Sequence, residues 1–200
     1  MKEENVKDVS IYSITYNILY KIESIKDSPS GKALLANIRS SINRPISESV
    51  DSLAFVFENV PEEFLGIGEN FTYQEKSIIT AIQLYAMHQQ AISESVILKS
   101  NGEKWRNIGY SLSYLRNEGD SKAVERRFNA MVTSSTFDEL SHHLRQMIKI
   151  MKSKSKGQIK VDYAKLAEDL YFFLLGNQNG IKLNWSRAFY NNEGEKNEKK

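Results

Sequence analysis

The segment DELSHHLRQMIKIMKSKSKG, beginning at Asp138, gathers groups able to do chemistry: adjacent His142 and His143, then Arg145, Lys149, Lys152, Lys154 and Lys156. Three chemistries compete for such a set: metal ligation, proton transfer and the holding of a polyanion. Metal ligation fits the spacing poorly. Successive helical residues diverge by about 100°, so the two histidines point apart, and no i, i+4 pair of the H-E-x-x-H kind occurs. The third histidine, His88, lies in another segment, and the positive surroundings oppose a cation. No metal site and no cofactor is expected. Proton transfer lacks partners. There is no cysteine, no G-x-S-x-G elbow and no glycine-rich phosphate loop. The nearest acids, Asp138 and Glu139, sit where helix capping accounts for them. A general base needs positioned neighbours, and no catalytic residue is assigned.

A polyanion suits the spacing better. Basic residues at i, i+3, i+4 and i+7 can follow phosphates along a strand, each contact releasing condensed counterions. The competing reading is a plain solvated helix face, and pattern alone does not separate the two.

The elements that must position these groups are helical. Thr136 and Glu139 form an S/T-x-x-E capping box, which starts a helix here. Its apolar residues Phe137, Leu140, Leu144, Met147, Ile148 and Met151 fall within roughly 80° of Leu140. On the same wheel His142, Arg145, Lys149, Lys152 and Lys156 fall at about 200°, 140°, 180°, 120° and 160°. They form a cationic ridge opposite an anchored face.

Helical periodicity continues along the chain. Ile11, Ile14, Ile18, Ile22 and Ile25 make one stripe. A helix opening at Ser30 turns Leu34, Leu35 and Ile38 inward, and VDSLAFVFENV is a short helix that Pro61 helps to end. Thr72 and Glu75 form a second capping box, ahead of Ile78, Ile79, Ile82, Tyr85 and Ala86. KSNGEKW reads as a linker around the Asn101-Gly102 turn. Ile108, Leu112 and Leu115 mark one further helix, and Val124, Phe128 and Met131 another. Asp162 caps a last long helix carrying Leu166, Leu170, Phe173 and Leu174. No alternating pattern supports a sheet. The expected fold is all-α and two-lobed, a helical bundle with an N-terminal lobe over residues 1–99 and a C-terminal lobe with the basic ridge over 100–190. The polar tail 191–200 is expected to be disordered.

The 200 residues include 40% hydrophobic and 26% charged side chains, which fits a soluble globular protein with a sizeable core. No apolar run approaches the roughly 18 residues of a membrane span, and MKEENVKDVS is too charged for a signal peptide, so a cytoplasmic protein is expected. With 27 basic and 25 acidic residues the formal charge is only +2. Its distribution is uneven. Between Pro45 and Glu75 there is no Lys or Arg, while Glu48, Asp51, Glu58, Glu62, Glu63, Glu69 and Glu75 are acidic. This stretch is either a solvated surface or a docking face for a basic neighbour. From Lys122 to Lys156 the balance reverses, which suggests a defined polyanion site.

Several segments in order carry a resemblance: GKALLANIR, YAMHQQ, NIGYSLSYL, VERRFNAMVTSSTFDELSHHLRQMIKIMKSK, VDYAKLAEDLYFF and KLNWSRAFY. Together they cover most of the chain from Gly31 to Tyr190 and resemble the CasB family, the small subunit of the type I-E CRISPR surveillance complex Cascade. The resemblance implies a two-lobed, all-helical, non-enzymatic subunit of antiviral defence, present as a pair in the complex. Its implied partners are the other Cascade subunits, the crRNA, the target DNA and a second copy of itself. It would hold the crRNA and target strand in place and stabilise the displaced non-target strand. Arg39 closes LLANIR where relatives carry arginine, Arg126 and Arg127 stand in VERRFN, and Arg145 stands in HLRQ. Gln146 replaces the second member of a basic pair there, a loss that Lys149 can offset. Tyr110 and Ser113 stand where relatives carry small and basic residues, which puts a DNA contact from that helix in doubt. The expected nucleic-acid-binding residues are Arg39, Arg126, Arg127, Arg145, Lys149 and Lys152. The rival reading is a purely protein-binding helical adaptor.

Three further expectations concern single groups. Arg126 and Arg127 point about 100° apart, so one reaches phosphate while the other pairs with an acid such as Glu125 or with another subunit. His88 and the glutamines beside it belong to a polar cluster between helices. Trp185, Phe189 and Tyr190 fold back on the core rather than stack on bases.

Overall fold

The structure is a computed structural model and describes residues 10–42, 44, 48–98, 106–117 and 121–191. The charged amino-terminal segment, the Asn101-Gly102 turn and the tail beyond Asn191 lie outside the described residues. Among the described residues the chain forms α-helices and short 3₁₀ turns, and the only pairing of extended segments is one parallel bridge between Ile97 and Val161. The all-α expectation holds.

α1 (Ile11–Ile25) starts at Ser10, whose hydroxyl accepts from the Ser13 amide, and buries the predicted stripe Ile11, Ile14, Ile18 and Ile22. α2 (Pro29–Ser40) begins one residue earlier than the sequence suggests. Ser28 caps it and Pro29 fills the first turn, where a missing N–H leaves nothing unsatisfied. A Cβ on Gly31 would stand 1.9 Å from the Ile25 carbonyl oxygen, so the α1–α2 corner requires glycine. α3 (Val50–Phe57) is short and is followed by a 3₁₀ turn at Glu62–Phe64.

α4 (Tyr73–Gln89) is buried along most of its length and is the axis of the fold. Its capping box is complete: the Glu75 amide donates to Thr72 Oγ1 at 3.0 Å, and the Thr72 amide donates to Glu75 Oε2 at 2.7 Å. α5 (Ile108–Ser113) runs into a 3₁₀ turn at Tyr114–Asn117, then α6 (Ser121–Val132) and α7 (Phe137–Ser155) follow. In α7 the second capping box is shifted. Thr136 Oγ1 accepts from the Glu139 amide, but the Glu139 carboxylate takes the Ser135 amide at 2.7 Å instead of the Thr136 amide. α8 (Tyr163–Leu174) is capped by Asp162, whose Oδ1 accepts from the Lys165 amide at 2.9 Å. It is not the last helix. α9 (Gln178–Tyr190) follows, because Ile181, Trp185 and Phe189 recur every four residues and all bury.

α4 packs against α2, α7 and α8, while α1 lies on α8 and α5 on α9. α7 and α8 therefore meet N-terminal helices from across residue 100, and buried apolar residues from both halves form one cluster. Residues around the bridge exchange backbone hydrogen bonds, Leu98 N to Val161 O and Val161 N to Val96 O, each 2.9 Å.

Candidate nucleic-acid interface

The face of α7 is fixed by its core. Phe137, Leu140, Leu144, Met147, Ile148 and Met151 are all buried, as the wheel predicts. The ridge behind them is less uniform than the wheel implies. His142, Lys149 and Lys156 are exposed, whereas Arg145 and Lys152 are half-buried. These two have the smallest angles from the apolar face, so they fall over the flank on which α4 packs.

α7 and α2 both pack on α4, and the strip of α4 between them, with one hollow lined by Arg145 and a separate one lined by Arg39, is taken as a groove with α4 as its floor. Gln83, Ala86 and Gln90, one helical turn apart, mark the floor. Gln83 donates from Nε2 to Ser41 Oγ at 2.8 Å, tying the floor to the end of α2. Arg39, on α2, donates from Nη1 to the Ala86 carbonyl at 3.3 Å. Lys152, on α7, donates from Nζ to Gln90 Oε1 at 2.9 Å. Arg145 lines a hollow at the other end of the groove, with Arg44, Lys76, Gln83 and Ser141 around it. Lys149 stands outside the wall, facing water.

The electrostatics reflect crowding of like charge in a partly desolvated place. Burial pulls the pKa of Arg39 below the ordinary guanidinium value. Burial does the same at Lys152, and the neighbouring Arg39 charge adds to it. At Arg145 burial again lowers the pKa, while Asp138 acts in the opposite direction. Asp138 itself is directed to Lys76, with Nζ to Oδ1 at 3.5 Å. None of Arg39, Arg145 and Lys152 is in an ion pair with a carboxylate among the described residues. An anion laid along the groove would meet donors already partly stripped of water.

His88 lies beneath this wall and is fully buried. Its Nδ1 is 2.9 Å from the Tyr163 hydroxyl. Burial, and then the Lys152 charge, push its pKa down to about 4, so it is neutral near pH 7. Gln89 is equally occupied, donating to the Ile92 and Glu94 carbonyls and accepting from the Val96 amide. This is the polar cluster expected between helices. Gln90, however, has turned outward to hold Lys152.

Arg126 and Arg127 are placed differently. Both are exposed on α6, which packs on α7 and α9 through Val124, Phe128 and Met131. Neither lines the hollows that Arg39 and Arg145 line. The expected pairing of one of them with Glu125 is not formed. Glu125 Oε1 instead accepts from Arg116 Nε at 3.1 Å, and Arg116 also donates to the Phe189 carbonyl and lies over the Phe189 and Tyr190 rings. The 3₁₀ turn brings Arg116 alongside the first turns of α6, a placement that helical spacing does not anticipate.

Trp185 and Phe189 are fully buried, with Phe189 stacked on Phe128 at 3.8 Å between ring centroids, so these two fold back on the core, while Tyr190 lies edge-on to Phe128 and remains exposed. Trp185 Nε1 donates to Asp169 Oδ2 at 2.7 Å, and Asp169 also accepts from Lys165 Nζ at 2.6 Å. A Cβ on Gly109 would stand 2.0 Å from the Trp185 carbonyl oxygen, so α5 and α9 touch backbone to backbone there. The departures noted in GYSLSYL are absorbed internally. Ser113 is buried with its hydroxyl on the Tyr110 carbonyl, and the Tyr110 hydroxyl meets that of Tyr114 at 2.7 Å.

Sequence reasoning missed Arg44 and Gln83, and it put Gln90 in the polar cluster with His88 rather than on the Lys152 ammonium. Gln83 and Gln90 are seven apart, two turns along the helix and its cap, and that regularity was the available signal. Among the described residues no group of three His, Cys, Asp or Glu is placed to hold a metal ion, and no helix is long and apolar enough to cross a membrane.

Comparison with known proteins places this geometry. No curated protein sequence matches the chain. Among solved structures, CasB from Thermobifida fusca superposes with a TM-score of 0.69 at 20% identity, covering 90% of this chain and 97% of that one. CasB from M. ruber gives 0.65 at 22% identity, with 92% and 94% covered. A chain of a structure described as a CRISPR RNA-guided surveillance complex gives 0.67 at 16% identity, with 91% and 94% covered. These likenesses establish a shared fold. A sequence profile then decides the family: residues 34–190, more than half of the chain, match it, and the chain belongs to the CRISPR-associated protein Cse2 family.

Proposed function

We propose that the chain is a non-catalytic subunit of a CRISPR RNA-guided surveillance complex that holds nucleic acid by its phosphates along the α2–α4–α7 groove. Family membership and the likeness to a chain of such a complex support the assembly role. The observation that carries the nucleic-acid role is the convergence of Arg39 with Arg145 and Lys152. Arg39 is more than a hundred positions from the other two in sequence, yet all three flank α4 and stand outside carboxylate ion pairs among the described residues. The groove forms where the N-terminal lobe, through α2 and α4, meets the C-terminal lobe, through α7. Lys149 widens the cationic wall, and Arg126 and Arg127 offer a second, exposed contact on α6. The crRNA, the target strand and the displaced strand all present the phosphates that this wall would hold, and the target is cut elsewhere.

Affinity of the isolated chain should be weak and independent of sequence, because phosphates carry no base identity. Binding of labelled single-stranded DNA should fall with salt, with a logarithmic slope near −0.7 for each phosphate neutralised. Replacing Arg145 and Lys149 by Ala should flatten that slope by up to about one unit each; an unchanged slope excludes both as contacts. If no salt-sensitive complex forms while co-expressed subunits still retain the chain, it is a protein adaptor alone. Cleavage of DNA in Mg²⁺ or Mn²⁺, abolished by His142→Ala, would overturn the non-catalytic reading. The assembly role is tested by co-expression with the other subunits and a crRNA, comparing size and RNA content with and without this chain.

A further inference from the structure

The carboxylates of the acidic stretch line neither hollow of the groove, although its Ser49, Leu53 and Phe71 line the Arg145 hollow, and the fold gives the stretch a shape. Asp51, Glu58, Glu62, Glu63 and Glu69 are all exposed, while Glu75 is engaged in the α4 capping box. In their midst Ile67 is 106% exposed, the most exposed large apolar residue among those described. It sits between Gly66 and Gly68 at the tip of the loop joining the 3₁₀ turn to α4. Gly68 has φ +136°, a conformation closed to side-chain-bearing residues, and nothing lies within 4 Å of where its Cβ would be.

The tip projects into open space from a fixed base. Thr72 Oγ1 donates to the Phe64 carbonyl at 2.7 Å, Phe71 packs on Phe57 at 6.1 Å between centroids, and Phe64 and Leu65 lie against the core. A single exposed apolar side chain is ordinary on a protein surface. An isoleucine held outward on an anchored loop, within a run from Pro45 to Glu75 that contains no Lys or Arg, is a more specific arrangement.

We propose that this loop is a docking knob: Ile67 enters an apolar recess on a different protein, and Lys or Arg residues around that recess meet Glu62, Glu63 and Glu69. The inference rests on the reading of the chain as a subunit of a larger assembly. Charge selects the partner. Phosphates would be repelled by the carboxylates, so nucleic acid is not the occupant. A second copy of this chain is also disfavoured, because its recesses with apolar and basic lining, the Arg44–Arg145 hollow and the Lys26–Arg39 hollow, flank the groove that phosphate occupies in that reading.

The test co-expresses the full chain with the other subunits and a crRNA and measures how much of the chain the tagged assembly retains. Ile67→Asp should weaken association roughly ten- to hundred-fold, the range set by losing burial of one such side chain. Glu62→Lys/Glu63→Lys/Glu69→Lys should weaken it too, and Ile67→Leu should retain it. Melting temperature and the salt slope for single-stranded DNA should match the wild type in both Ile67 variants, since the tip touches neither core nor groove. Retention of Ile67→Asp at the wild-type level overturns the proposal. So does a loss caused by the charge reversal alone, or a change in the sedimentation of the isolated chain with Ile67→Asp, which would assign the knob to a second copy. Failure of the wild-type chain to join the assembly removes the subunit reading and the knob with it, whereas loss of DNA binding alone leaves the knob standing.

Discussion

The groove cations and the α6 arginines are the same kind of residue in opposite circumstances. Arg39 and Lys152 are half-buried and tethered to the floor of the groove by hydrogen bonds to Ala86 and Gln90. Arg126 and Arg127 stand in water on a helix whose own acid, Glu125, is already held by Arg116. A tethered side chain has given up part of its rotamer freedom before any ligand arrives, so binding costs it less entropy. A partly desolvated charge also interacts more strongly with an anion than one screened by water. The number of basic residues in a segment is therefore a poor guide to where a phosphate will sit. Their burial and tethering are better guides.

The sharpest way to break this comparison is to remove each set in turn. Arg39→Ala/Arg145→Ala/Lys152→Ala should flatten the salt slope for single-stranded DNA by about two units, three phosphates at about 0.7 each. Arg126→Ala/Arg127→Ala should change it by less than about one unit. The reverse order, measured by filter binding over a salt series, would transfer the interface to α6.

The buried side of the groove wall can be read through pH. The unfolded chain protonates His88 near 6.5, the folded chain only near 4, so protons favour the unfolded state between these values. Stability is fully present above pH 6.5 and falls as pH drops, by about 1.4 kcal/mol per unit and at most about 3 kcal/mol in total. His88→Gln should remove that slope between pH 6.5 and 5, as seen by denaturant titration. A smaller effect links the two sides: Lys152→Gln should move the His88 titration upward, because the Lys152 charge is one of the two causes holding it down. NMR of the His88 ring would follow it. The least effect is expected at the α6 end. Arg116→Ala should lower stability by about 1 kcal/mol or less, since its ion pair is partly solvated, and should leave DNA binding unchanged. A loss of binding there would show that α6 arginines depend on Arg116 for their placement.

The contrast also shows what the sequence made legible. The buried face of α7 follows from a strict helical period, and so does the burial of Trp185 and Phe189 at i, i+4. The angles of Arg145 and Lys152 already placed them nearest the apolar face. That they are half-buried depends on α4 lying along that flank, which no local pattern encodes. The convergence of Arg39 on Lys152 has the same origin, since it needs the packing of α2 on α4. Glu125 went to Arg116 because a 3₁₀ turn, outside any helical register, delivers the guanidinium to it. Periodicity speaks of one helix at a time, and the groove is made between three.

The seat of α1 against α8 has a consequence for how the protein is made. Tyr12 reaches Asp162 across 150 residues of chain. At a synthesis rate of about 5–20 residues per second, the isoleucine stripe of α1 waits roughly 8–30 seconds for its partner to leave the ribosome. During that interval the greasy face of α1 has only its lesser contacts with α2 and α4 to cover it. Chaperone engagement should therefore peak before α8 emerges and end soon afterwards.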